Sequence, residues 1–174
     1  VEFLGGCYNT LNPVMLTNLT HDVMEQIAMP QWTEEEKAFA KTLNEKSQQY
    51  EKVKASGVLE NGPLCTFVEP VEKRYGYGST DVGDVGYAAP TLNINIATAC
   101  IGNVGHSWQM VAQTCSPLAH KGLLTAAKVM ALACVRTMDR PDVIEAAKKE
   151  VTKRNGGHYT CPLPDSVMPP LDTY

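Results

Sequence analysis

The segment from Thr91 to Ile101 constrains the fold most, because apolar and polar side chains alternate along its first half. Leu92, Ile94 and Ile96 are separated by single asparagines. A period of two is typical of a β-strand with one buried face. The alternation therefore predicts a strand inside a sheet. Since helical patterns surround it, the sequence predicts an α/β fold in which a sheet is flanked by helices.

Capping signals mark the helices. Asn12 and Ser116 each precede a proline, and Thr33 precedes Glu36 by three positions, which forms a capping box. Pro141 starts a further helix, and Gly156 ends it. The predicted helices cover about residues 13–28, 34–55, 117–138 and 141–155, and a long connection that includes one short strand covers residues 57–90.

The helix after Pro117 has an apolar stripe at helical spacing, which we expect to face the core. The stripe comprises His120, Leu124, Ala127, Ala131, Cys134 or Val135, and Met138.

Composition limits the possible functions. The 174 residues are 44% hydrophobic and 20% charged, with a formal net charge of −4. These values are typical of a globular protein and predict no nucleic-acid partner. No run of about 18 apolar residues is present, so we expect no membrane-spanning segment.

The six cysteines form no C-x-x-C pair, which favours free thiols and a cytoplasmic location. The chain opens on VEFLGGCY, which reads as the inside of a strand, so we expect a fragment of a longer protein.

His106 is the first candidate for chemistry, because it follows directly after the predicted strand. Ligand sites in open α/β sheets form at the carboxyl ends of strands, and an imidazole there suits metal binding or general-base catalysis. The alternative is a loop histidine without a special role. His120, on the expected buried stripe, is better explained as a structural histidine.

The glycine-dense run from Gly76 to Gly86 is the second candidate. Its glycines permit close approach of a ligand, and Asp81 and Asp84 are able to hold a cation or orient a histidine. The alternative is ordinary turn chemistry, in which aspartate accepts backbone hydrogen bonds. The run lacks the Gly-Lys-Ser/Thr of a P-loop and the acidic spacing of an EF-hand. These residues alone do not name a reaction.

Three motifs in order resemble the C-terminal part of M20-family metallopeptidases, and most closely the aminobenzoyl-glutamate hydrolase branch of the amidohydrolases. They are GSTDVGDV at Gly78–Val85, HSW at His106–Trp108 and AHKG at Ala119–Gly122. The start, GGCYNTLNPVMLTNL, resembles the last strand and helix of that family's lid or dimerisation domain. The tail at His158–Pro164 also fits the branch.

This resemblance implies a zinc-peptidase-like catalytic domain over residues 29–174, preceded by the end of the lid domain over residues 1–28. It implies an enzyme in which two zinc or manganese ions activate water against the amide of an aminobenzoyl-glutamate or acyl-amino-acid substrate. His106 matches the last metal ligand. The loop residues expected to border the site are Gly78, Ser79, Thr80, Asp81, Asp84 and Ser107.

The resemblance also implies that the remaining metal ligands and the general base lie outside this chain. We therefore expect the isolated chain to be inactive, and to associate through an apolar patch as a homo-oligomer. Two alternatives stay open. One is a non-catalytic binding or structural module derived from such an enzyme, and the other is an unrelated small α/β binding protein.

Overall fold

The computed structural model describes residues 5–73, 75–76 and 78–167. The described residues are 51% helical and include no β-strand. The predicted α/β fold with a helix-flanked sheet is therefore wrong for this structure, and so is the strand predicted within residues 57–90. The described residues form seven helices: α1 (Val14–Gln26), α2 (Glu34–Glu45), α3 (Tyr50–Ala55), α4 (Val82–Ala88), α5 (Trp108–Thr114), α6 (Pro117–Met138) and α7 (Pro141–Asn155).

The strand predicted at the start of the chain is also not observed. Residues 5–8 are not in a strand, and residues 1–4, which complete that prediction, lie outside the described residues.

The predicted strand at residues 91–101 is not part of a sheet, because side chains and loops take the place of a neighbouring strand. The Cys100 N–H donates to Oε1 of Gln113 at 2.7 Å, and the Ile101 N–H donates to the Pro63 carbonyl at 2.8 Å. The Asn44 amide donates to the Ile101 carbonyl. The expected alternation of burial is nevertheless present, since Leu92, Ile94 and Ile96 are half-buried and the asparagines between them are exposed.

The capping predictions are confirmed at three helix ends. The Thr33 hydroxyl accepts from the Glu36 N–H, and the Glu36 carboxylate accepts from the Thr33 N–H at 2.7 Å. Pro141 begins α7, and Gly156 follows it with φ of 78°, in the left-handed region that favours glycine. The helix predicted over residues 34–55 is instead divided into α2 and α3.

Within the described residues, the contacts divide the chain into two compact units. The first draws on residues 5–19, 71–93 and 136–167, and the second on residues 20–70 and 94–135. The family-based boundary at residue 28 stays a prediction.

The second unit has a small apolar core. Its buried members are Trp32, Ala40, Leu43, Leu64, Cys100 and Leu118, with Ala97 packed against them. The indole N–H of Trp32 donates to the Leu118 carbonyl at 3.2 Å, so its one polar group is satisfied. Full burial of one large apolar side chain contributes about 1.5–3 kcal/mol. This core joins α2 and α6 to residues 91–101, the extended segment that precedes His106.

Helix α6 buries a different face from the one the sequence predicts. The expected stripe is wrong, because these residues are not buried in the structure: His120, Leu124, Ala127, Ala131, Cys134, Val135 and Met138. The buried residues are Leu118, Ala119, Gly122, Thr125 and Val129. This face packs because Gly122 has no side chain: a Cβ there would overlap the Ala97 carbonyl oxygen.

Helix α6 is also long and apolar enough, by length and composition alone, to cross a membrane. The expectation of no membrane-spanning segment stays a prediction. The finding is weak evidence for a membrane, because core helices of globular proteins meet the same criteria.

The first unit brings α4 against the segment around Tyr8. The rings of Tyr8 and Tyr87 stack with centroids 4.1 Å apart, and the Tyr159 ring meets Tyr8 edge-on at 6.2 Å. A Cβ at Gly83 would overlap the Tyr8 carbonyl oxygen, so this glycine is required for the close approach. The Asn155 amide at the end of α7 donates to the Tyr87 carbonyl at 2.8 Å.

Candidate functional site

His106 lies in the turn between the extended segment and α5, and its side chain is exposed. Its φ is 55°, and it is the one non-glycine residue with a positive φ among those the structure describes. Histidine enters this left-handed region more readily than bulky or branched residues, but such a conformation is still uncommon. The following residue, Ser107, caps α5 by accepting from the Met110 N–H.

The turn that carries His106 is held by hydrogen bonds from several elements. The Ser107 hydroxyl donates to the Val104 carbonyl at 2.6 Å, and Nε2 of Gln113 donates to Oδ1 of Asn103 at 3.1 Å. Gln113 is fully buried, and no buried side-chain polar atom in the described part of the chain lacks a partner. The Ser47 hydroxyl donates to the Gly102 carbonyl at 3.2 Å. An exposed imidazole is thus presented on a well-supported backbone.

His106 fits a metal as one ligand of a larger set. Among the described residues, the one group of three potential ligands close enough to share an ion is His21, Asp22 and Glu25 on α1. That group is a helix surface of a kind that is common without a metal. A zinc site needs three or four ligands. The described residues around His106 therefore do not form a complete metal site.

Residues 78–81 of the glycine-rich segment lead into α4. Gly78, Ser79 and Thr80 are exposed, and the Thr80 carbonyl accepts from the Gly83 N–H at 3.2 Å. Asp81 is also exposed and lies at the N-cap of α4, but its side chain makes no capping hydrogen bond. The motif thus combines a helix start with a glycine needed for packing.

Asp84 has a structural role that the sequence did not indicate. Its Oδ2 accepts from the Tyr8 N–H at 3.1 Å, and its Oδ1 accepts from the Tyr159 hydroxyl at 3.1 Å. Partial burial raises the pKa of Tyr159 to about 12, and its contacts with Cys161 and Asp84 act in the same direction. The carboxylate thereby joins three distant parts of the first unit.

Two other candidate residues are also placed by the structure. Ser107, expected to border the site, lies beside His106 and serves as a helix cap. His120 is exposed in the first turn of α6, so the prediction that it packs on a buried stripe is wrong. His106 lies in the second unit and segment 78–84 in the first, and their membership of one site stays a prediction.

Sequence reasoning missed Gln113 and the tyrosine cluster of Tyr8, Tyr87 and Tyr159. Gln113 gives no local signal, because glutamine inside a helix is usually solvated. The spacing of Gly83 and Gly86 is a usable signal, since glycines three apart in a helix lie on one face and allow a backbone to approach. Both are buried, facing segment 8–11.

Comparison with known proteins identifies a relative of the chain. It resembles the aminobenzoyl-glutamate hydrolases over nearly its whole length, which confirms the resemblance carried by its motifs. It is 30% identical over 187 aligned residues to a subunit of the p-aminobenzoyl-glutamate hydrolase of Escherichia coli (strain K12). The alignment includes 97% of this chain and 39% of that relative, so the chain spans about two fifths of the relative's length. No protein-family model and no solved structure matches the chain.

Proposed function

We propose that this chain forms part of a metal-dependent amidohydrolase and supplies its last metal ligand through His106. The observation that carries the proposal is the similarity to a hydrolase subunit along 97% of the chain, together with an exposed His106 on a supported turn. The proposed substrate is an aminobenzoyl-glutamate or acyl-amino-acid amide, after the name of that relative.

The residues of this chain would hold and orient one imidazole. Hydrogen bonds from Ser47 and Ser107 hold backbone carbonyls just before His106, and one from Gln113 holds the Asn103 side chain. Fixing a ligand before the metal arrives reduces the entropy lost on binding. A bound zinc or manganese ion would polarise the amide carbonyl and supply activated water.

The same reasoning makes the chain inactive by itself. One histidine is one of the three or four ligands that zinc needs, so the other ligands and a general base would have to come from residues outside this chain. The relative is much longer than this chain, which leaves room for them. We expect the isolated 174 residues to hold no stoichiometric metal.

Association with other chains is part of the proposal. The relative is named as a subunit, which supports a partner protein. The exposed apolar surface of α6 supports self-association of the isolated chain, because large exposed apolar surfaces tend to become interfaces. The six cysteines are unpaired, which supports the cytoplasmic location that we propose.

A non-catalytic module derived from such an enzyme is the second candidate. The incomplete ligand set around His106 favours it, and it requires no metal at that residue. The two candidates differ in one respect: only the enzyme needs the His106 imidazole.

The test uses the complete hydrolase that contains this chain and compares His106→Ala with His120→Ala. Both side chains are exposed in the second unit, so neither change should disturb the core. Hydrolysis of p-aminobenzoyl-glutamate should fall by more than about 100-fold in the first variant and stay near the unmodified rate in the second, because removal of a metal ligand removes several kcal/mol of transition-state stabilisation. Full activity in His106→Ala would favour the non-catalytic module.

A further inference from the structure

A cavity in the second unit is not used by the proposed hydrolysis. It has a volume of about 460 Å³ and lies between α2, α3 and the turns that follow α3. Its lining includes Lys41 and Asn44 from α2 and Tyr50 and Lys54 from α3. Ligand pockets in proteins commonly have volumes of about 300–1,000 Å³. The cavity is thus large enough for a small organic molecule.

The polar groups of the cavity favour an anion. Two of its side chains are ammonium groups, Lys41 and Lys54, and one is a carboxylate, Glu60. Lys41 reaches Glu45 only at 3.9 Å, with both side chains largely exposed, so that pair is weak. Lys54 lies over the Tyr50 ring, 5.8 Å from its centroid. The lining therefore has a net positive charge on a chain whose formal net charge is −4.

The remaining wall favours an apolar body next to that charge. Tyr50, Leu59 and Pro63 are half-buried and present ring and aliphatic surface. Gly62 has φ of 104°, and a Cβ there would meet no atom within 4 Å, which shows open space beside this turn. Ammonium groups next to an aromatic face suit a planar molecule with a carboxylate at one end.

The shape of the cavity does not depend on exposed side chains alone. Asn44 is almost fully buried and donates to the Ile101 carbonyl, and the Pro63 carbonyl accepts from the Ile101 N–H at 2.8 Å. Gly102 approaches Val53 on α3 so closely that a Cβ would overlap the valine side chain. Two walls are therefore fixed to the segment that leads to His106, and the site is preformed.

We propose that this cavity binds a small monocarboxylate with an aromatic or flat aliphatic body, held by Lys41 and Lys54 and stacked on Tyr50. The proposal does not depend on a metal at His106 or on the hydrolase assignment. A ligand of about ten non-hydrogen atoms in an open site would bind with a dissociation constant of about 1–10 mM.

The experiment follows the amide resonances of the full 174-residue chain by NMR while phenylacetate is added. Phenylacetamide tests the charge, and acetate tests the apolar body. Phenylacetate should give saturable shifts confined to residues around the cavity, and the other two probes should bind at least about fivefold more weakly. Raising the salt concentration from about 20 to about 200 mM should weaken phenylacetate binding, because exposed charges are screened.

The matched variants are Lys41→Gln and Lys54→Gln in the wall, with Lys52→Gln as the control on α3. Each wall variant should raise the dissociation constant about three- to tenfold, and Lys52→Gln should leave it unchanged. All three lysines are exposed, so the variants should fold. His106→Ala should bind phenylacetate normally, which separates this site from the metal proposal.

Three results would overturn the proposal. They are shifts that do not saturate, equal binding of phenylacetate and phenylacetamide, or the same loss of affinity in Lys52→Gln as in the wall variants. The last would show a general effect of net charge.

Discussion

Gly122 of α6 lies directly against the backbone of Ala97, so the long helix packs on the extended segment that ends before His106. A Cβ at position 122 would overlap the Ala97 carbonyl oxygen and approach the Thr98 side chain. The helix and this segment are therefore neighbours, although no sheet is formed in the described part of the chain. The missing side chain at residue 122 is what permits it.

We predict that Gly122→Ala destabilises the second unit by about 1–3 kcal/mol, because the backbone must shift to relieve the overlap. Alanine is intrinsically better than glycine inside a helix by about 1 kcal/mol, so a net loss would show that the overlap dominates. Denaturant unfolding measures the change. Gly105→Ala is the control, since a Cβ there meets no atom within 4 Å, and it should stay within about 0.5 kcal/mol. A stabilised Gly122→Ala would refute the close approach.

Local signals predicted the ends of the helices but not the tertiary arrangement. The Thr33–Glu36 capping box, the proline at 141 and the glycine at 156 act through adjacent residues, so they can be recognised without the fold. The alternation at residues 91–101 predicted which side chains are half-buried. The alternation did not predict which groups form hydrogen bonds with the backbone of this segment. The side chains of Gln113 and Asn44 form them in place of a neighbouring strand.

The face of α6 was mispredicted for a physical reason. Apolar residues occur almost all around this helix, so periodicity does not choose between faces. The small residue Gly122 favours the buried face, since its lack of a side chain allows contact with the Ala97 backbone. The candidate site is also only partly predictable from the sequence. The motif resemblance indicates His106, but the hydrogen bonds that Ser47 and Gln113 make to the turn before it depend on the tertiary fold.

Glu36 should contribute to stability in two separable ways. It completes the capping box of α2, and it accepts from Nζ of Lys121 at 2.7 Å. Glu36→Gln keeps a capping side chain and loses the ion pair, so we expect a loss of about 0.5–1 kcal/mol. Glu36→Ala loses both and should cost about 1 kcal/mol more. Thermal unfolding at neutral pH measures both variants, and identical stabilities would show that the cap contributes nothing.

The pH dependence of the contribution of Glu36 to stability follows from the direction of its pKa shift. The hydrogen bond from Lys121 holds the pKa of Glu36 below its ordinary value of 4.5. The stabilisation is therefore complete above about pH 4.5 and is lost as the pH falls through the lowered pKa. The difference in stability between the unmodified chain and Glu36→Gln should therefore shrink as the pH falls below about 4.5. A difference that grows in acid would contradict the assignment.

Tyr159 should titrate well above an ordinary tyrosine, with a pKa of about 12. Partial burial is the main cause, so Asp84→Asn should lower the pKa only in part, by removing a nearby negative charge. NMR of ring-labelled tyrosine follows the phenol directly, and Asn9→Ala, which removes the acceptor of the Tyr87 hydroxyl, is the control. An ordinary pKa in the unmodified chain would contradict the partial burial of this phenol.

The apolar surface of α6 should drive association of the isolated chain. Leu124 is 62% exposed, and Leu123, Met130 and Val135 add further exposed apolar surface along the helix. Sedimentation at tens of micromolar should show a dimer or larger species, and Leu124→Glu should shift it towards the monomer. Val111→Glu on α5, where the valine is 69% exposed, is the control. A clean monomer for the unmodified chain would contradict this expectation.

The most direct test of the account is the metal affinity of the complete hydrolase with and without the His106 imidazole. Competition with a chelator of known affinity, followed by elemental analysis, measures how tightly zinc or manganese is held. We predict that His106→Ala weakens at least one ion by more than about 100-fold, as expected for loss of one ligand from a site of three or four. We predict that His120→Ala holds metal normally. Unchanged metal affinity in His106→Ala would show that this histidine is not a ligand.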